Sequence, residues 1–282
     1  MNKTIITCAL TGVLAKKEQC PAIPYTPVEI AEEAKRAYEA GAAVVHIHAR
    51  TKEGGPSWES AVFGEIKKEI RKRCPVILNF SSGGIGLPIE KRTVHITDHR
   101  PEISALNMGS MNYAIYSAKQ KKFYHDHVFS NPFKDIIYCL EKINAAGSKP
   151  ELECFDVGHI SNTEPLIDMG ILKTPAHFSF ILGVLGGIST KPGNLAAMAA
   201  NVPKGSHWEV IGIGRDQWRL LREALVLGGD IRVGLEDNFY LEKGQMAGGN
   251  GDLVSAAVKI CREAGKQPAS VEEAREILKV SS

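Results

Sequence analysis

The sequence has no strong excess of either charge: 34 Lys and Arg stand against 32 Asp and Glu, a formal charge of +2. That excludes a protein that holds nucleic acid by bulk charge, which needs a clear basic surplus. No C-x-x-C pair occurs among Cys8, Cys20, Cys74, Cys139, Cys154 and Cys261. At 282 residues the chain is also too long for a disulfide-stapled miniprotein. Reduced thiols serving as core filler, in a cytoplasmic protein, are the expectation. No apolar run approaches the length of a membrane span; Phe178–Leu185 is only strand length. The first apolar stretch is broken by Thr4, Thr7, Thr11 and Gly12, so it reads as a strand better than as a secretory leader. Catalytic signatures are missing too. Gly-x-Ser-x-Gly is absent, which removes the nucleophile elbow. A Walker loop is absent, and neither Thr11-Gly12-Val13-Leu14 nor Gly212-Ile213-Gly214 forms a dinucleotide fingerprint.

What remains is an ordinary globular mix, 44% apolar and 23% charged, arranged with a clear period. Strands are predicted at Thr4–Leu10, Val44–His48, Val76–Phe80, Ile103–Asn107, Glu151–Phe155, Ala176–Leu182, Trp208–Ile213 and Ile231–Leu235. Each is followed by an amphipathic segment. The first helix opens at Thr26-Pro27-Val28-Glu29, which holds a capping box with proline at the first helical position, and closes at Gly41. Further helices are expected at Ala61–Lys72, Pro88–Ile96, Phe133–Ala145, Thr163–Met169, Gly193–Ala200, Gln217–Leu227 and Asp252–Ala264. Eight strand–helix units of roughly 30 residues, without a break in composition, predict one (β/α)8 barrel over residues 1–282 with no inserted domain. The alternative, a doubly wound open sheet, predicts a glycine-rich first turn that is not there.

Barrels gather their reactive groups at the C-terminal ends of the strands. Strand two ends His46-Ile47-His48, and alternation turns both imidazoles to one face, where they can share a metal ion. Strand eight runs from Arg232 into Glu236-Asp237-Asn238. A carboxylate of this run could be a third ligand, giving an open, catalytic zinc pattern; alternatively Asp237 or Asn238 caps a helical turn. Nitrogen and oxygen donors suit zinc better than magnesium. Strand three ends Ser81-Ser82-Gly83-Gly84, small residues that let a substrate approach backbone amides. Strand five carries Glu151 and Glu153, charges that need a partner inside a barrel. Arg215, ahead of a helix, suits an anion or a pyrophosphate, unless it only pairs with Asp216.

Taken together, Ile6–Gly12, His46–Arg50, Ser81–Gly84, Pro150–His159, His207–Arg215 and Gly228–Leu241 resemble the β-keto acid cleavage enzyme family, in order and spacing, over almost the whole chain. The resemblance implies a zinc-dependent barrel enzyme. Its members condense a β-keto acid with acetyl-CoA and release acetoacetate and a new acyl-CoA through Claisen and retro-Claisen steps. It puts the zinc ligands on His46, His48 and Glu236, a substrate serine on Ser82 beside Gly83, and catalytic groups on Arg232, Asp237 and Glu153. It also suggests a homotetramer. Gly187, Gly214 and Arg215 are the candidates for the CoA side. One position departs from the family. Aminohexanoate-specific members carry an acid after the Thr-Gly that follows strand one, where this chain has Leu14; the nearest acid is Glu18. An ammonium would lack its partner there, so the expected substrate tail is apolar or neutral. Two other readings compete: a metal-dependent amidohydrolase-like hydrolase using His159, His177 and Asp237, and a non-catalytic metal or acyl-CoA binder. The first needs its paired histidines on strand one, and here they lie on strand two.

Overall fold

A computed structural model describes residues 3–281 of the chain. Eight parallel strands close into a barrel: β1 (Ile6–Ala9), β2 (Val44–Ile47), β3 (Ile77–Phe80), β4 (Ile103–Asn107), β5 (Lys149–Cys154), β6 (His177–Leu182), β7 (His207–Gly212) and β8 (Asp230–Val233). They stand in sequence order, and β8 pairs back onto β1 through Arg232 opposite Thr7. The helices are α1 (Pro27–Ala40), α2 (Ser60–Arg71), α3 (Val94–His99), α4 (Phe133–Ala145), α5 (Val157–Ser161), α6 (Thr163–Asp168), α7 (Asn194–Ala200), α8 (Gln217–Leu227), α9 (Asn250–Glu263) and α10 (Val271–Leu278).

The period of two decides what faces where. Outward residues such as Cys8, Val45, Leu78, Leu152, Phe178, Val210 and Val233 pack with the helices in one large core. At the N-terminal mouth, Val44, Ile77 and Ile103 meet Val271, Ala274 and Leu278 of α10, so the last helix plugs that end with apolar contact. The opposite mouth is left for polar groups. The capping box of α1 is present: Thr26 accepts from the Glu29 amide, and Glu29 accepts from that of Thr26. Gly41 closes the helix in the left-handed region, at a φ of 117° that a glycine adopts without strain. All six cysteines are buried and free. Among the described residues no helix is long and apolar enough to cross a membrane.

Three expectations need correction. The third helix is Val94–His99, later than Pro88–Ile96. Before it the chain makes single turns, because Arg92 is drawn inward, donating to the Ser82 carbonyl at 2.7 Å and to Asn131 at 2.9 Å. Strand eight ends at Val233 rather than at Leu235. Gly234 takes a φ of 141°, and a side chain there would strike the Ala9 backbone. The chain therefore turns back over the barrel mouth at this residue. An antiparallel hairpin, Met111–Ser117 paired with Lys122–Phe129, rises between β4 and α4 where no element was expected. Met111 and Phe129 join Phe155, Ile181 and Ile211 in a small cluster that seats the hairpin on the rim.

Candidate active site and metal centre

The turn at Gly234 builds the site. It brings the amides of Asp237 and Asn238 onto the Gly234 carbonyl and that of Glu236 onto the Ala9 carbonyl at 3.2 Å. Gly12, after β1, gives the room: a Cβ there would meet the Glu236 side chain at 2.7 Å. Glu236 is thus laid across the mouth toward β2. Its Oε1 lies 3.5 Å from His48 Nε2 and 3.9 Å from His46 Nε2. Ligand atoms of these three residues all fall within 4.8 Å of one another, the one such group among the described residues.

The donors fit a metal ion. The Nε2 of His46 and the Oε2 of Glu236 are buried without a hydrogen-bond partner, a costly arrangement unless something else binds them. Two imidazoles and one carboxylate leave a coordination position open for substrate. Burial and the Arg232 charge hold His46 well below the usual imidazole range, so its nitrogens are available as ligands. Burial would raise Glu236, but Arg232, His48 and His46 outweigh it and keep this carboxyl well below its ordinary value.

Arg232 is the hub of the rim. It is only 2% exposed. Its Nε and Nη2 grip both oxygens of Asp237 at 3.0 Å, and Nη2 also reaches Glu236 Oε1 at 2.9 Å. A planar fork suits this two-point grip. The remaining Nη1 has no hydrogen bond and stands 4.0 Å from Glu153 Oε1. Burial pushes Glu153 up to about 7 and Asp237 up to about 6, in each case against the pull of Arg232. Both are therefore poised to exchange a proton near neutrality. Asp237 caps no helix: its carboxylate is taken by Arg232, while Asn238 binds Gln217 and the Tyr240 backbone.

A cleft of about 790 Å³ opens above these groups. His48, Gly83, Glu153, Arg232, Glu236 and Asp237 line it, as does Leu14, whose side chain is 48% exposed. Ser82 does not line it. Alternation turns Ser82 away from the mouth, and its hydroxyl donates to the Ala105 carbonyl at 2.5 Å. Its neighbour Ser81 faces the cleft and accepts from the Gly83 amide at 3.1 Å. Gly187, Gly214 and Arg215 also lie outside the lining, which on that side is Gly183, Val184, Leu185 and Ile213. Gly187 packs against Phe155, Gly214 donates to the Asp237 carbonyl, and Arg215 is exposed. Asp216 binds Thr190 and Arg219 rather than Arg215. His177 sits at the other end of the barrel, its Cα opposite those of Glu151 and His207, and His159 Nδ1 accepts from the Phe155 amide. Neither joins the metal group.

Several cleft residues were missed. Asn107 ends β4 and points in with the same alternation as the other strand-end groups, so that signal was present. Tyr113, Ile115, Tyr116 and His125 come from the hairpin. Its alternating Met111–Ser117 and Lys122–Phe129 stretches, separated by a short polar turn, are the hairpin's own signature.

A family model described as beta-keto acid cleavage enzyme matches residues 3–280. A 3-keto-5-aminohexanoate cleavage enzyme of Fusobacterium nucleatum is 38% identical, covering 99% of this chain and 98% of that protein. A 3,5-dioxohexanoate:acetyl-CoA acetone transferase of Paraburkholderia graminis is 34% identical, covering 99% and 96%. Among solved structures, the apo form of ObcA superposes with a TM-score of 0.77 at 21% identity, covering 93% of this chain and 66% of that one, a likeness of fold.

Proposed function

The chain belongs to the beta-keto acid cleavage enzyme family, and we propose that it condenses a β-keto acid of apolar or neutral tail with acetyl-CoA, yielding acetoacetate and a new acyl-CoA. One observation carries this reading: His48 and Glu236 line the floor of a single cleft beside the Arg232–Asp237 fork, and the buried His46 completes their three-ligand group from behind the lining. Two imidazoles and a carboxylate suit zinc better than magnesium, and zinc when bound would supply Lewis acidity toward the keto oxygen of the substrate.

The chain's own residues do the rest. Asp237, held by Arg232, takes the proton from the carbon between keto and carboxylate groups and can return it after cleavage. The free Nη1 of Arg232 offers a donor to an oxygen that gains charge in the Claisen step. Glu153 exchanges protons on the opposite side of Arg232. The Ser81 hydroxyl and the amides around Gly83 support the substrate carboxylate, with Ser82 bracing that loop from behind. Val184 and Leu185 form the edge offered to the acetyl-CoA thioester, with Gly187 and Gly214 shaping the loops and Arg215 at the outer margin for the nucleotide phosphates.

The tail assignment is supported by what the outer cleft contains. Leu14, Trp58, Ile115, Tyr116 and Leu185 line it, and its acids are confined to the floor at Glu153, Glu236 and Asp237. A cationic tail would find no nearby carboxylate, and an anionic tail no cation except Arg232. Buried free thiols support a cytoplasmic location, and exposed Ile115, Phe123, Tyr124 and Val128 on the hairpin support a homo-oligomer, a tetramer in this reading. The deciding experiment incubates zinc-loaded protein with acetyl-CoA and a panel of β-keto acids, and follows acetoacetate and acyl-CoA by mass spectrometry. Matched formation of both products is expected. Absence of product from every acid, with zinc confirmed bound, would overturn the assignment.

A further inference from the structure

Barrel interiors are ordinarily filled by branched apolar side chains. Here the layer under the metal group is polar and runs as a chain around the barrel. Asn79 Nδ2 donates to Glu151 Oε2. The Ser179 hydroxyl lies between Glu151 Oε1 and Glu209 Oε1, the second at 3.1 Å. Thr7 donates to Glu209 Oε2 at 2.7 Å. Glu151, Ser179 and Glu209 are all but inaccessible to water. Charges at such depth are expensive, and the apolar layer nearer α10 shows that the barrel can be filled without them.

The hydrogen atoms of this chain set a direction. Ser179 has one hydroxyl hydrogen and two carboxyl neighbours, so one carboxyl must bring a proton of its own. Burial and the Glu209 charge push Glu151 well above the usual range, which puts the proton there. Protonated Glu151 then donates through Oε1 to Ser179, Ser179 donates to Glu209, and Glu151 Oε2 is left as an acceptor only. Asn79 must therefore turn its NH2 toward Glu151 and its Oδ1 the other way. His46 is the residue directly across from Asn79 in the register of β2 and β3. Asn79 Oδ1 is buried and without a partner, and so is His46 Nδ1.

We propose that Asn79 is the positioning residue of the metal site: its Oδ1 accepts from His46 Nδ1–H and leaves Nε2 for the metal, while the Glu151–Ser179–Glu209–Thr7 chain locks the orientation of the amide. This rests on His46 being a metal ligand. Outer partners of this kind hold a ligating imidazole in one tautomer and one orientation. Neither Asn79 nor Glu151 touches the reacting atoms in this assignment.

The test measures Zn2+ affinity by competition with a chromophoric chelator, apoprotein melting, and the visible spectrum of the Co2+-loaded protein. Asn79→Ala and Glu151→Leu should each weaken Zn2+ binding about 10–100-fold, as loss of an outer partner does, and shift the Co2+ bands. Glu151→Gln presents an NH2 to Ser179 and an oxygen to Asn79, as the protonated acid does, and should keep wild-type affinity and spectrum. Asn79→Ser serves the same measurement should Asn79→Ala not fold. Wild-type Zn2+ affinity in the Asn79 variants overturns the proposal, as does a loss in Glu151→Gln equal to that in Glu151→Leu. A wild-type protein that binds no Zn2+ would instead refute the metal assignment itself.

Discussion

Replacing Leu14 by Glu tests the substrate reading most directly. Leu14 stands on the cleft wall with 48% of its surface open. A bound apolar tail would cover roughly 70 Å² of that side chain, worth about 1.7 kcal/mol at 25 cal/mol per Å². Leu14→Glu removes this term and lowers kcat/KM for the apolar acid about tenfold or somewhat more. For a cationic tail the change runs the other way. A carboxylate about 4 Å from an ammonium gains about 1 kcal/mol in water and about 4 at a protein surface. The half-open wall belongs toward the lower figure, again about tenfold. The preference between the two tails should therefore move about 100-fold. The assay is internal competition: 3-oxohexanoate and 3-keto-5-aminohexanoate are mixed with acetyl-CoA, and the two acyl-CoA products are compared by mass spectrometry. Wild-type protein should favour 3-oxohexanoate. The reasoning fails if the wild type prefers the amino acid, or if the ratio moves less than threefold in the variant.

Asp237→Asn should retain Zn2+ and the fold while losing turnover by about 10²–10⁴, the range for a removed general base; retained turnover would point to another base. Gly234→Ala should destabilise the protein and weaken Zn2+ binding together, because its Cβ collides with the Ala9 backbone at the turn that aims Glu236. Unfolding and chelator titrations on the same sample check both effects. Burial pushes Asp230 up to about 7, although its Oδ1 accepts from the Ile5 amide at 2.7 Å. A raised value means the folded form keeps its proton where the unfolded chain has lost it. The associated stability is complete below about pH 4 and is lost as the pH rises to 7, by at most about 1.4 kcal/mol per pH unit. Asp230→Asn keeps the acceptor for Ile5, so urea unfolding at pH 5, 6 and 7 should show a shallower decline than the wild type.

The barrel was legible because strand and helix periods alternate through all eight units, the hairpin after β4 being an unexpected insertion between a strand and its helix. Ile103–Asn107 and Phe133–Ala145 coincide with the observed elements, and others shift by a residue or two at their ends. The metal group was legible for a local reason, His46 and His48 sharing a face and Glu236 following a strand. What stayed hidden depends on long-range geometry. The end of β8 is set by contact between Gly234 and Ala9, residues far apart in the chain. Ser82 looked as available as Ser81 until the pleat assigned one to the cleft and the other to the Ala105 carbonyl. The hairpin carries its alternation openly, but the expectation of one helix after each strand left no place for it.

The rim also explains why a nearly neutral chain can hold such a site. Glu236 and Asp237 lie side by side against one buried guanidinium, with Glu153 on its far side. Arg232 alone cannot balance both neighbouring carboxylates when they are ionised, and its own burial forbids leaving it unpaired. A divalent ion held by His46, His48 and Glu236 would add positive charge where Glu236 Oε2 and His46 Nε2 have no partner. Arg232 holds Asp237 in a two-point grip, also reaches Glu236, and keeps Nη1 without a hydrogen bond. In the proposed reaction Asp237 would serve as base and Arg232 as oxyanion donor, so both roles would rest on one side-chain pair set by the turn at Gly234.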